Sequence, residues 1–188
     1  MKCSTREKIL AAASCLAREM GPSKLSLDAV AARAGVSKGG LLYNFPSKAA
    51  LLQSLVEDHL KCFDRSLTSK VAERPDEPGN IASAYIELFV QEHEDCSPPP
   101  SGVLAAMAEN PDFILPVRGF KRSLLDRMKA SSSDDVAMLT IFLVLEGIRS
   151  MRLFDMDVLS EPERTAVIES LIRMASSAEE SQVPLKAA

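Results

Sequence analysis

The chain has 188 residues, a formal net charge of −4, few aromatics and no tryptophan, so leucine, alanine, valine, isoleucine and methionine must build its core. That palette favours helices, and the length suits one domain or a small domain joined to a larger one. No apolar run reaches the roughly eighteen residues of a membrane span, and MKCSTREKIL has no apolar signal core, so the expectation is a cytoplasmic protein with no membrane partner.

The charge is unevenly placed. Residues 1–48 hold eight basic and three acidic side chains, while the remainder holds fourteen basic and twenty-three acidic ones. A basic head on an acidic body is the asymmetry expected where one end meets a polyanion.

In chain order, Ile9, Ala12, Ala13, Leu16 and Met20 recur at helical spacing over residues 5–20, and Gly21-Pro22 ends that helix. Ser26 is a candidate N-cap, with Asp28 in the first turn where the macrodipole favours an acid. Leu27, Val30, Ala31 and Ala34 form a short apolar stripe that Gly35 stops. Ser37 is a second N-cap, opening a third short helix that Pro46 closes.

Two short helices joined at a glycine behind a third describe a helix-turn-helix. In that motif the second helix of the pair enters the major groove and offers its first residues to base edges. Those residues are Ser37, Lys38, Gly39 and Gly40. Adjacent glycines cost roughly 1 kcal/mol each in a helix interior, a choice explained if the bare backbone must approach DNA closely. Tyr43 and Asn44, a turn further on, suit phosphate or sugar contacts.

Ser47 caps a long helix over residues 48–71, with Leu51, Leu52, Leu55, Val56, Leu60, Phe63 and Leu67 on its buried face. Lys48 lies in its first turn, where ammonium and free N–H groups together suit a phosphate. Residues 73–80 read as a linker, 81–94 as a helix, and Ser97 to Pro100 as a loop. A short apolar helix is expected over 103–109, another from Pro111 or Asp112 to about 129, and a linker over 131–134. Residues 135–154 are apolar almost all round, which predicts burial on several faces. Ser160 to Glu163 is a capping start for the last helix, to about 178, and the tail over 181–188 is expected to fray.

The text LSLDAVAARAGVSKGGLLYNFPSKAALL resembles the DNA-binding signature of TetR/AcrR-type bacterial transcriptional regulators. The likeness covers residues 6–55: the Ala-Gly-Val-Ser turn, the lysine after it, the Leu-Tyr-x-Phe pair and the Ser-Lys that opens the long helix. Asn44 and Gly40 stand where many relatives carry His and Thr or Ser, so base preference is not carried over. The resemblance implies an all-α protein of about nine helices. A helix-turn-helix head over 1–46 would bind double-stranded DNA at a palindromic operator. A helical domain over 47–180 would bind a small-molecule inducer and pair two subunits through its last two helices. It implies a repressor with no cofactor.

Candidate ligand residues in the body are Phe63, Leu67, Phe89, His93 and Met107, with Phe113, Phe120, Leu124, Phe142 and Glu146. Glu146 stands in an apolar run, and a buried carboxylate needs a partner or a cationic ligand. Arg149 or Arg122 would satisfy it. Methionine and phenylalanine at helical spacing more often build core than pocket, although they also suit an adaptable site. The acidic body favours a lipophilic or cationic ligand over an anion. His59/Cys62 and His93/Cys96 are both H-x-x-C pairs that could share a helix face and hold a soft metal, although such short patterns recur by chance; the expectation is no metal. No nucleophile elbow, phosphate loop or HExxH is present, so an enzyme is not expected. The reading from another class is a helical interaction protein whose helix-turn-helix only packs.

Overall fold

A computed structural model describes residues 4–20, 25–75, 77, 79–94, 111–154 and 156–177. Among them are eight α-helices, one 3-10 turn and no strand. The helices are α1 (Thr5–Met20), α2 (Leu27–Ala34), α3 (Lys38–Asn44), α4 (Lys48–Ala72), α5 (Asn80–Glu94), α6 (Ile114–Ala130), α7 (Asp135–Leu153) and α8 (Glu161–Ser177). A 3-10 turn, Pro111–Phe113, leads into α6. The helix expected over 103–109, Met107, Cys3, Cys96 and the tail over 181–188 lie outside the described residues, as does the side chain of His93. Among the described residues no helix is long and apolar enough to cross a membrane.

Side-chain caps start the helices where the sequence places them. Ser26, Ser37 and Ser47 accept from the amides of Ala29, Gly40 and Ala50 at 3.1, 3.0 and 3.1 Å. Asp134 accepts from the Ala137 amide at 2.9 Å. Each satisfies an amide that the first helical turn leaves without a partner. Gly35 ends α2 at φ 66°, a left-handed conformation that costs glycine nothing. The Val36 amide then donates to the Ala31 carbonyl at 3.0 Å and fixes the turn.

The chain divides into two compact units. The first holds α1 to α3, α4 as far as Cys62, and the 3-10 turn with α6 as far as Gly119. Its core packs Ile9, Ala13 and Leu16 of α1 against Val30 of α2, Leu41 of α3, Phe45, and Leu51 and Leu52 of α4. Phe113 and Val117 belong to the same cluster.

The second unit holds α4 from Phe63, α5, α6 from Phe120, α7 and α8. Leu67, Tyr85, Met128, Met138, Ile141 and Leu145 are fully buried there. Burial of such a side chain contributes about 1.5–3 kcal/mol. Gly79 also takes φ 66°; its amide donates to the Ser131 carbonyl at 2.8 Å, and a Cβ there would meet the Ala175 carbonyl at 3.1 Å. A side chain at this position would be strained by both backbone and space.

Helix α7 departs from the expectation of burial on several faces. Ala137, Met138, Ile141, Leu145 and Ile148 are buried, whereas Val136 is 71% exposed and Leu143 64%. Leu139 is exposed too, and a Cβ on Gly147 would meet nothing within 4 Å. The helix carries two apolar stripes, and the described chain covers one.

Candidate functional site

The first cluster of candidate residues lies on α3 and at its two ends. Tyr43 projects from α3 with 91% of its surface exposed, and Lys38 and Gly39 are exposed as well. Neither Gly39 nor Gly40 has a positive φ, so backbone conformation does not demand glycine at either position. A Cβ on Gly39 would enter open space, while one on Gly40 would press on Ser37 Oγ at 3.3 Å. Nothing within the described chain requires Gly39 to be bare. The result is an outward strip of unshielded helical backbone beside an exposed phenol and an ammonium.

Several polar groups here are already engaged. Lys38 Nζ lies 2.9 Å from the Asp28 carboxylate, across the turn between α2 and α3. Ser26 and Ser37 accept from the cap amides described above, although their hydroxyl protons remain available to donate. The Asn44 amide donates to the Gly40 carbonyl at 2.9 Å and folds back on α3. Half-buried Lys48 opens α4 just after the Ser47 cap.

Other charges in the first unit also pair. Arg33 makes a two-pronged pair with Glu19 at 2.6 and 3.0 Å, and its Nη1 donates to Cys15 Sγ at 3.3 Å. Arg6 donates to Ser54 Oγ at 2.9 Å, and its guanidinium lies 5.1 Å from the Phe45 ring centroid. The Lys38–Asp28 and Arg33–Glu19 pairs use two of the three acids of residues 1–48, so the net positive charge of that segment is left intact.

The second cluster lies in the second unit, around Glu146 on α7. Tyr85 on α5 donates its hydroxyl to Glu146 Oε1 at 2.5 Å. Arg149, one turn along α7, donates to the same oxygen at 2.8 Å, to the Tyr85 hydroxyl at 2.8 Å, and to Glu92 Oε2 at 2.9 Å. Lys121 on α6 pairs with Glu146 Oε2. The Arg149 guanidinium also lies 5.9, 5.5 and 5.6 Å from the ring centroids of Phe63, Tyr85 and Phe89, a cation held against aromatic rings. Phe63 stands edge-on to Tyr85 at 5.9 Å and to Phe120 at 5.8 Å, and Phe142 lies tilted against Tyr85 at 6.3 Å.

These surroundings set the ionisation of the cluster. Burial alone would raise the Glu146 carboxyl, but the charges of Arg149 and Lys121, with hydrogen bonds from Lys121 and Tyr85, hold it below the ordinary range. Burial pushes the Tyr85 phenol up, so it stays a neutral donor. Burial disfavours the Arg149 cation, but the Glu92 and Glu146 carboxylates, with the neutral Tyr85 hydroxyl accepting from Nη1, outweigh it, so the guanidinium stays charged.

Two comparisons with known families cover most of the chain. Residues 9–55 match the model of bacterial regulatory proteins of the tetR family, and residues 79–176 match the tetracyclin repressor-like C-terminal domain. The chain belongs to the TetR family. It is similar to the HTH-type transcriptional regulator EthR of Mycolicibacterium smegmatis, 33% identical over 81 residues. That match spans 43% of this chain and 37% of the relative. Among solved structures, SCO4454, a TetR-family transcriptional regulator from Streptomyces coelicolor, has a TM-score of 0.68 at 18% identity, covering 94% of this chain and 95% of that one. The multidrug binding protein EbrR complexed with malachite green has a TM-score of 0.62 at 20% identity, covering 90% and 96%.

In this TetR-family chain, Phe63, Phe89, Phe120, Phe142 and Glu146 come together in one cluster. Leu67 and Leu124 are buried in the core around it. Phe113 does not join them; the 3-10 turn places it in the core of the first unit. Arg122 does not pair with Glu146, because it is engaged with Asp126 one turn along α6. Sequence reasoning missed Lys121, Tyr85 and Glu92, which complete the cluster. The spacing of four residues between Arg122 and Asp126 on one helix is the sequence signal that commits Arg122 elsewhere and leaves Lys121 as the cation of α6 for Glu146. His59 and Cys62 are both exposed on α4, and among the described residues no group of three or more metal-ligating side chains converges.

Proposed function

We propose that the chain is a cytoplasmic, homodimeric transcriptional repressor, without enzymatic activity, that binds a palindromic DNA operator and is released from it by a small lipophilic or cationic ligand. In this reading residues 1–46 form the DNA-reading head and 47–180 the ligand-binding and dimerisation body. The observation that carries it is the exposed strip on α3. Gly39 is bare without internal cause, Tyr43 is almost wholly exposed, and Lys38 stands at the first helical position. An α-helix with such a strip can lie close in a major groove, with Tyr43 and Lys48 suited to phosphates.

The outer stripe of α7 supports the dimer. Val136, Leu139, Leu143 and Gly147 recur at three- and four-residue spacing, and α8 adds exposed Ile172. A second copy of this face would cover them, with Gly147 admitting close helix approach. Two heads then stand ready to read half-sites about one helical turn apart, roughly 34 Å.

The aromatic and charged cluster around Glu146 supports the ligand-binding body, and EbrR, of similar fold, is complexed with an organic dye. Release follows from a population shift: the ligand binds more tightly to a body conformation whose heads are out of register with the operator. A coupling of about 1–3 kcal/mol changes operator affinity roughly 5–150-fold.

The test is fluorescence anisotropy on duplex DNA from upstream of the gene, against a scrambled duplex, over a salt series. The expected result is tight, sequence-dependent binding by two subunits, with affinity falling steeply as salt rises. Equal, weak binding to both duplexes, and to every fragment in a genome-wide selection, would leave a helix-turn-helix that only packs.

A further inference from the structure

The two acids of the Glu146 cluster are matched one for one by two cations. Glu92 and Glu146 face Arg149 and Lys121. The cations are not equivalent. Arg149 touches both carboxylates, the Tyr85 hydroxyl and three aromatic rings, and keeps 21% of its side-chain surface exposed. Lys121 has one described partner, Glu146 Oε2, and keeps 41% exposed against 14% for Glu146.

We propose that Lys121 is a displaceable placeholder in a ligand site centred on Glu146, and that the site takes a lipophilic monocation. This rests on the ligand-responsive reading above. A half-exposed lysine on a flexible stem returns to water at little cost, because an ammonium hydrates strongly. Its departure leaves Glu146 Oε2 open while Tyr85 and Arg149 still hold Oε1. The cluster then carries one uncompensated negative charge, which one positive charge balances and two overcompensate. Half-buried Phe142, against Tyr85, and half-buried Phe120, against Phe63, supply ring surface for an apolar or flat body. A neutral ligand would leave the carboxylate less compensated than before and is disfavoured.

The placeholder also sets a threshold. The ligand must outcompete an ammonium tethered beside the carboxylate, so removing that ammonium tightens binding.

The experiment uses ethidium, a fluorescent monocation, and propidium, a dication with the same ring system. Both are titrated into the full-length protein without DNA, because both intercalate. Lys121→Met keeps the apolar stem and removes the competitor; Lys121→Arg retains a cation and serves as the folded control. Lys121→Met should bind ethidium at least about fivefold more tightly than wild type, the lower end of ordinary coupling between sites. Lys121→Arg should not gain, ethidium should be preferred to propidium, and Glu146→Gln should abolish the gain. Equal ethidium affinity in wild type and Lys121→Met overturns the placeholder and leaves a ligand-responsive regulator standing. Absence of ethidium binding in every variant, with circular dichroism showing them folded, overturns the monocation site. Operator release by neutral lipophiles then tests the ligand-responsive reading separately.

Discussion

Lys38 Nζ lies 2.9 Å from the Asp28 carboxylate, so the first residue of α3 is paired with an acid from the first turn of α2. Both side chains are largely exposed, and such pairs contribute only about 0–1 kcal/mol. A polyanion can therefore compete for the lysine. Until it does, Asp28 cancels a charge that would otherwise attract any phosphate backbone. Asp28→Asn is expected to strengthen binding to a scrambled duplex more than to the operator. The slope of log affinity against log salt should become more negative by about one. Anisotropy titrations at several salt concentrations read both quantities, and an unchanged slope would show that Lys38 is not restrained by the pair.

Gly39 offers a clean separation of stability from recognition. It is helical, and a Cβ there meets nothing within the described chain. Gly39→Ala should therefore stabilise the head by up to about 1 kcal/mol, through helix propensity and a less flexible unfolded state. If the bare strip meets DNA closely, operator affinity falls in the same variant. Thermal unfolding and DNA titration together decide the matter. A stabilised protein with unchanged operator affinity would mean that the strip faces no close surface. Gly40→Ala should stabilise less, since its Cβ presses on the Ser37 cap.

Much of the fold was legible because its signals are local. Ser26, Ser37, Ser47 and Asp134 act within three residues of themselves, and Gly35 ends α2 by its own backbone conformation. The site was less legible because its decisive pairings run between helices. Asp28 and Lys38 meet only because the Gly35 turn brings two helix starts together. Glu146 draws Lys121 from 25 residues away, and Tyr85 from 61. Phe113 and Phe120 look alike in sequence, yet the 3-10 turn before α6 sends Phe113 to the other core. On α7 the information was present but merged. Met138, Ile141, Leu145 and Ile148 form one stripe, and Val136, Leu139 and Leu143 form a second. Only the burial pattern separates them.

That second stripe makes its own prediction. Leu143 is 64% exposed, so Leu143→Asp removes little internal packing and places a charge where a partner helix would lie. Sedimentation should show a monomer for Leu143→Asp at concentrations where wild type is a dimer, and operator binding should weaken with it. Ile141, two residues away and fully buried, is the contrast. Ile141→Ala should cost about 2–5 kcal/mol of stability through the cavity it leaves. Its folded fraction should still pair. A dimer that survives Leu143→Asp would place the interface elsewhere.

Glu146 ties the stability of the body to pH. Burial works to raise its carboxyl, but Arg149 and Lys121, with the hydrogen bonds from Lys121 and Tyr85, hold it below its ordinary value of 4.5. A carboxyl depressed in the folded state adds stability that is fully present above its unfolded value. That stability is lost as pH falls through the lower folded value. Glu87, Asp126 and Glu163 are depressed as well and lose their contributions over the same acidic range, so an unfolding curve of the wild type alone cannot isolate Glu146. The difference between wild type and Glu146→Gln can. Glutamine keeps an acceptor for Tyr85 and Arg149 and removes the charge, at a cost of about 1–3 kcal/mol near neutrality. Urea unfolding from pH 7 down to about pH 3 should show that difference holding steady above 4.5 and shrinking below it. A difference that stays constant across the range would mean that the charge on Glu146 does not hold the cluster together, and that Arg149 is fixed by Glu92 and the aromatic rings alone.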